Sequence, residues 1–397
     1  MSRRTSLFLL ALATTACEAP AAPAPRSSQG LTPQAVRTER LVIGFADARS
    51  RQAALADAPW PVLAALPELQ AVVVVAPGTA RVRAALAGRR GVRYVEADQT
   101  LRLPGDEVPA PALRTGDEQR DAQWALDRIG IDAAWAVTTG SPRVRVAVVD
   151  TGIDASHPDL RGRVLPGRDV VNGDDDATDD NFHGTHCAGI VAAGRGNGGV
   201  VGVAPGVSLL PVKVLDAKGS GTLSQVAAGL VWAADQRPAV ISLSLGTDQP
   251  SQLLADAVRH AQARGALLVA GTGNKGHDKP FYPAVLPGVL AVGATGKDDV
   301  RASFSNYGPH VALTAPGRDI LSTIPDGKWA RMSGTSMATP HVAGVAALLA
   351  SLRPGLTAAG LRARLEATAV DLGPPGRDDD HGAGRLDAGR ALTGLVY

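Results

Sequence analysis

Residues 181–190 read NFHGTHCAGI, and three of their side chains can do chemistry: His183, His186 and Cys187. If the stretch is helical, spacings of three and four put all three on one face. Imidazole nitrogens and a sulfur sharing a face are how a zinc site often begins. The same residue types can also form a Cys/His nucleophile couple. The rest of the chain has to decide between these and a third use.

Three other places carry complementary groups. Asp150 ends the apolar run VRVAVVD and enters the turn TGID. A carboxylate at the end of a buried strand is costly unless a charged or hydrogen-bonding group meets it, although such an Asp commonly just shapes a turn. Asn274 lies in the Gly-rich segment GTGNKG after the strand-like ALLVAG. An amide there can supply turn geometry or aim an N–H donor into a cleft. Ser336 lies where SGTSMATPHVAGVAALLASL passes from a Gly/Ser/Thr turn into a long apolar helix. Serine at a helix start is an ordinary N-cap, yet the same place stabilises negative charge. Pro340 is expected in the first turn, where the N–H groups have no helical partner.

Taken one at a time these signals are weak, but their chemistry interlocks. A serine hydroxyl needs an adjacent base to attack. A histidine base needs an acid that fixes its tautomer. A tetrahedral intermediate needs donors for its oxyanion. Asp150, one histidine, Asn274 and Ser336 supply all four parts, in the chain order Asp, His, Ser.

At this point VAVVDTGID, HGTHCAGI and GTSMATPHVAG resemble the three catalytic signatures of the subtilisin-like serine proteases, the subtilases. The resemblance runs over residues 121–397, from QWALDRIG to GAGRLDAGRAL. It implies a serine endopeptidase acting on polypeptides through an acyl-enzyme, with Asp150 as acid, His183 as base, Ser336 as nucleophile and Asn274 as oxyanion donor. Gly219, Ser220 and Gly221, and Ser244, Leu245 and Gly246, match the two segments that pair with a substrate backbone, a sequence-tolerant mode of binding. Gly246 and Gly273 would line the pocket for the residue before the cut bond, and such small walls imply a roomy pocket and broad specificity. No cofactor is expected for catalysis, but structural calcium is, at Asp159 of HPDL and Asn197 of GRGNGGVVG. The acidic run GDDDATDD (173–180) is either a further hard-cation site or a solvated loop. Phe182 and Thr272 stand where the family usually has small residues, and Phe182 is expected to narrow the substrate side of the base. His186 becomes a structural histidine, and Cys187 a buried free thiol behind the base. Residues 38–103, ending VRYVEADQTLRL, resemble the family's I9-type propeptide, an intramolecular inhibitor whose last strand occupies the cleft and which is removed autocatalytically. The mature protein is expected to be a monomer.

The elements that must position these groups follow from periodicity. Runs such as VRVAVVD, SLLPVKVL, VISLSLG, ALLVAG and VLAVGA are apolar and unalternated, as in strands covered on both faces. TLSQVAAGLVWAADQ and SQLLADAVRHAQARG between them have helical spacing. The pattern predicts an α/β fold, a doubly wound and mostly parallel sheet flanked by helices, with ligands at the carboxyl ends of its strands. RLVIGF, AVVVVAP and VRYVEADQ, with two helical stretches between them, predict a smaller α+β unit ahead of it.

Around these, residues 18–37 read as a Pro/Ala-rich disordered linker, and 104–120 as a second, exposed and cleavable one. Residues 1–17, with Arg3 and Arg4 ahead of the apolar run Leu7–Ala13, have signal-peptide anatomy, which implies bacterial-type export. Ala16-Cys17 resembles the end of a lipoprotein signal, so a lipid anchor at Cys17 is the alternative to free secretion. No other stretch is long and apolar enough for a transmembrane span. With Cys17 and Cys187 as the only cysteines of 397 residues, no internal disulfide framework is expected. A net charge of +2 gives no bulk field for nucleic acid or an anionic membrane.

Overall fold

Strand Arg145–Asp150 is the organising element. Its odd and even residues face opposite ways. Val146 and Val148 enter one apolar core, and Ala147 and Val149 enter another. Period-two side chains buried on both faces are what a central parallel strand requires. Strands Leu313–Pro316, Leu290–Thr295, Leu267–Gly271, Val240–Leu243, Arg145–Asp150, Ser208–Lys213 and Arg168–Asp169 lie in that order in one sheet, all parallel. From Arg145–Asp150 the chain first builds outward to one side and then continues at Val240–Leu243 on the other. The crevice at the carboxyl ends of these two strands is the place where such sheets bind ligands. The expected α/β class is therefore present. The computed structural model describes residues 38–56, 59–86, 89–105 and 118–394. The expected signal peptide with Cys17, the linker 18–37 and residues 106–117 of the second linker lie outside the described residues.

Helices His183–Ala192 and Thr335–Leu352 cover one face of the sheet. Leu223–Asp235 and Gln252–Ala263 cover the other. Sequence reading did not find the hairpin Ile320–Ile324/Lys328–Met332. Its turn carries Asp326 and Gly327, both at positive φ (66° and 67°), so Asp-Gly between two short runs was the available signal.

The smaller unit is a four-stranded antiparallel sheet ordered Val62–Leu66, Ala71–Ala76, Glu39–Phe45, Val92–Ala97. Leu41, Ile43, Phe45, Val72 and Val74 pack under Ala48–Ala56 and Thr79–Leu86 through Ala54, Val82 and Leu86. The other face does not close on itself. Val42, Leu66, Leu69 and Ala71 join the core built on helices Leu223–Asp235 and Gln252–Ala263. The small sheet thus shares an apolar core with the large one.

Two acids fix this docking. Ser251 Oγ donates to Glu96 Oε1 (2.6 Å), and the backbone N–H groups of Gln252 and Leu253 donate to the same carboxylate (3.0 and 3.1 Å). Ser224 donates to Asp98 from its N–H and its hydroxyl, both at 2.8 Å. Each carboxylate therefore sits on the N-terminus of one helix, where free N–H groups and the helix dipole favour an anion. Neither residue was singled out by sequence, because their partners are more than a hundred positions away.

Candidate active site

Asp150 ends its strand fully buried, and His183 opens helix His183–Ala192, also fully buried. His183 Nδ1 lies 2.8 Å from Asp150 Oδ1, which also accepts the Thr151 N–H at 2.8 Å. Burial, the largest single influence, opposes charge on the imidazole, but the Asp150 carboxylate and the Cys187 sulfur together hold His183 well above the ordinary histidine range.

The strand end and the helix start are tied by Asp179. Its Oδ2 accepts Thr185 N–H (2.9 Å) and Thr185 Oγ1 (2.6 Å), and its Oδ1 accepts Thr151 Oγ1 (2.8 Å) and Asn181 N–H (2.9 Å). Thr151 Oγ1 accepts in turn from Gly184 N–H at 2.9 Å. Burial raises the Asp179 carboxyl, and these hydrogen bonds oppose the rise. Beneath the turn, the buried Lys213 ammonium donates to Thr151 O and Leu215 O, each at 2.8 Å, and to Asp180 at 2.5 Å.

Ser336 is the second residue of helix Thr335–Leu352, whose N-cap is Gly334. Pro340 is the sixth residue of that helix, not a first-turn residue as the motif suggested. Lacking an N–H, Pro340 leaves the carbonyl four residues back without its helical donor. That carbonyl belongs to Ser336. Ser244 Oγ donates to it at 2.9 Å and the Cys187 thiol at 3.5 Å. Ser336 Oγ itself donates to Ser244 O at 3.3 Å.

Asn274 is oriented by Thr335, whose N–H and hydroxyl both donate to Asn274 Oδ1 at 2.9 Å. This leaves Nδ2 as the donor end, and it bonds Pro104 O. Thr272 in the same loop is fully buried, and its hydroxyl donates to Asn306 O (3.2 Å) while Asn306 Nδ2 returns a bond to Thr272 O (2.8 Å). The chain's own residues 100–104 cross this cleft. Strand Thr100–Arg102 pairs antiparallel with Ser220–Thr222, Leu101 opposite Gly221 and Arg102 opposite Ser220. Leu103 N–H donates to Gly219 O at 3.0 Å, and Arg102 bridges Gly246. Both expected backbone-pairing segments are thus paired with residues 100–103.

The HxxHC cluster is not assembled as a metal site. His186 Nε2 sits 3.1 Å from Ile320 O and from Ala330 O, so it is an N–H donor to the hairpin. Burial pushes its imidazole down to about 3, which keeps it neutral. Cys187 Sγ lies 3.9 Å from His183 Nδ1, a nitrogen already taken up by Asp150, and burial pushes its thiol up. Phe182 is half-buried and packs on the larger core.

At the positions expected to hold calcium, Asp159 and Asn197 also make hydrogen bonds within the protein. Asp159 Oδ2 accepts Trp329 Nε1–H at 2.7 Å and Val200 N–H at 3.0 Å, and burial raises its carboxyl. Asn197 Nδ2 donates to Pro158 O at 3.3 Å. Asp159 Oδ2 is thus a hydrogen-bond clamp, while its Oδ1 is buried without a hydrogen-bond partner among the described residues, an oxygen of the kind calcium takes. In the acidic run, Asp174 and Asp176 close local turns, Asp175 pairs with Arg168 and Asp180 with Lys213.

A cleft at the switch point of a doubly wound sheet, holding a buried carboxylate–imidazole pair beside a serine at a helix start, defines a hydrolase of the serine-nucleophile class. The subtilase family model matches residues 141–384, and the chain belongs to the subtilase family, a family of serine endopeptidases. It is 45% identical over 271 residues to thermitase of Thermoactinomyces vulgaris, covering 68% of this chain and 95% of that protein. It is 48% identical over 263 residues to a thermophilic serine proteinase of Bacillus sp. strain AK1, spanning 66% of this chain and 65% of that relative's length. Among solved structures, fervidolysin from Fervidobacterium pennivorans, a keratinolytic enzyme related to subtilisin, superposes with a TM-score of 0.80 at 28% identity, over 91% of this chain and 62% of that one.

Proposed function

We propose that this chain is the precursor of an exported serine endopeptidase in which Asp150, His183 and Ser336 form the catalytic triad and residues 38–104 are a self-inhibitory leader. The observation that carries the reading is the placement of Pro104 O on Asn274 Nδ2, with the preceding residues paired to Gly219–Thr222 and Gly246. A carbonyl on a fixed amide donor beside a serine at a helix start is where an acyl-transfer centre would hold its scissile bond.

His183, oriented by Asp150, takes the Ser336 hydroxyl proton as Oγ bonds to the carbonyl carbon. Asn274 Nδ2 stabilises the resulting oxyanion. His183 then protonates the leaving amine, and water, deprotonated by the same imidazole, releases the acid. The chain's own side chains supply every proton transfer, so no cofactor enters a step. Asp150 and Asp179 act by orientation, Asp150 on the imidazole and Asp179 on the backbone that carries both residues. The substrates are polypeptides bound as an added strand.

The test is expression of residues 18–397 followed by mass spectrometry. The wild-type chain should separate into an N-terminal fragment and a larger mature enzyme. Ser336→Ala should stay intact. If that variant is processed at the wild-type rate in purified form, self-maturation by Ser336 is wrong.

A further inference from the structure

Which side chain precedes the cut bond is decided between Gly246 and Gly273, the two small walls that suggested a roomy pocket. Register brings residue 104 to this place. Arg102 bridges Gly246, and Pro104 O is on Asn274, the neighbour of Gly273. The residue whose carbonyl meets Asn274 is therefore the one that register brings beside the two glycines.

The glycines do not border open space. Phe281 is buried at 5% exposure yet belongs to none of the three apolar cores. A methyl built on Gly246 would lie 2.5 Å from Phe281 Cε1 and 2.8 Å from Cζ. One built on Gly273 would lie 3.1 Å from Phe281 Cγ and 3.3 Å from Cδ1. One ring therefore lies against both walls. Tyr282 O lies closer still to the first methyl and Asn306 Nδ2 to the second, and with the ring they take up the volume that the two missing side chains release.

We propose that Phe281 is a specificity-determining residue: its ring closes the pocket between Gly246 and Gly273, so the enzyme cuts after compact residues of the Ala and Pro class and discriminates against aromatic and long aliphatic ones. The chain's own Pro104 is such a residue, and Pro104–Gly105 is the bond presented for processing. In that step Ser336 Oγ bonds to the Pro104 carbonyl carbon and the C–N bond to Gly105 breaks. The Gly105 amine leaves with the proton carried by His183, and water returns the Pro104 carboxylate. This inference rests on the serine endopeptidase reading and narrows its substrates. An added aromatic ring cannot share the space, because close-packed interiors do not absorb extra ring volume without displacement.

The experiment uses the full chain after maturation and four peptide p-nitroanilides that differ only in the last residue: Ala, Pro, Phe or Leu. Active enzyme is counted by titration with a small-alkyl fluorophosphonate. In the wild type, kcat/KM for Ala and Pro should exceed that for Phe and Leu by about tenfold or more, the scale on which pocket volume discriminates. Phe281→Gly, or Phe281→Ala where the glycine variant does not fold, should raise cleavage after Phe by at least about tenfold. The mature N-terminus should begin at Gly105. Faster cleavage after Phe or Leu by a titratable wild type overturns this inference and leaves the endopeptidase reading standing. So does an unchanged ranking in the Phe281 variants. Failure of the fluorophosphonate to label Ser336, with no peptide cut, overturns both.

Discussion

The two sheets of this molecule bury their residues in different ways. In the large sheet, strand after strand is covered on both faces by helices from its own segment of chain, and Val146, Ala147, Val149, Val240, Ile241 and Leu268 are wholly buried. The small sheet covers one face with its own two short helices and leaves the other to be completed by Leu223–Asp235 and Gln252–Ala263. Its edge strand exposes Val62 and Leu63, each by 49%. A unit of this size buries a smaller fraction of its surface than a large domain does and is correspondingly marginal alone. The difference teaches that the small sheet is completed by its partner, through Glu96, Asp98 and the strand Thr100–Arg102.

Changes that break or sharpen this contrast rank by size. Ser336→Ala should keep the two units in one chain and lower peptidase activity by about 10⁴-fold or more, the scale measured on the triad of subtilisin itself. Activity on a peptide substrate, after the leader is removed by an added protease, measures it. The double change Glu96→Gln and Asp98→Asn should loosen the small sheet alone. Hydrogen bonds to charged groups contribute about 1.5–3 kcal/mol each, so inhibition by the separate leader added in trans should weaken by at least about a hundredfold. The melting temperature of the mature enzyme, which lacks both residues, stays the same. A full-strength inhibitor carrying both changes would refute the helix-terminus account of docking.

Asp179→Asn acts inside the large unit and should cost about tenfold in kcat/KM, since an amide cannot accept all four donors that now meet the carboxylate and a buried unmatched group costs about 1–3 kcal/mol. The variant should still dock the leader. In the pH profile, His183 must be unprotonated to act as base. Asp150, with Cys187, holds it above the ordinary value, so kcat/KM should rise with pH along a limb lying above about 6.5. Asp150→Asn should move that limb downward as well as lower its height. The smallest effect belongs to Cys187→Ala. Ser244 Oγ still holds the Ser336 carbonyl, so activity should fall less than about threefold for one weak thiol bond, while inhibition by mercurials, tested on the same preparation, should disappear. Full mercurial sensitivity in that variant would place the reactive group elsewhere.

Much of the site was legible because its residues lie at element ends that periodicity marks. Asp150 follows the last β-branched residue of a run, and Ser336 lies at the turn into an apolar helix. The class of fold was legible for the same reason: two-sided burial leaves unbroken apolar strands. The short strand Thr100–Arg102 had no such mark. Thr100, Leu101 and Arg102 alternate exposed, buried and exposed, but three residues are too short a run for periodicity to mark, and the strand is held by pairing with Ser220–Thr222. Likewise Asp179 lay in an acidic run that local reasoning could take only for a cation loop or a solvated one, and its actual use is to tie Thr151 to Thr185.

The sequence by itself determined which groups exist and at what chain distance: an acid, an imidazole, a hydroxyl and an amide, each at a strand or helix terminus, and the alternation that brings such termini to one edge of a sheet. The tertiary structure alone decided how their surroundings are filled. Pro340 removes a donor from the Ser336 carbonyl, and residues from two other elements replace it. Asp159 Oδ2 meets an indole and a backbone N–H. Gly246 and Gly273 promise space that Phe281 occupies. In each case the deciding atom comes from a distant part of the chain, and hydrogen-bond satisfaction and close packing are properties of the neighbours in space.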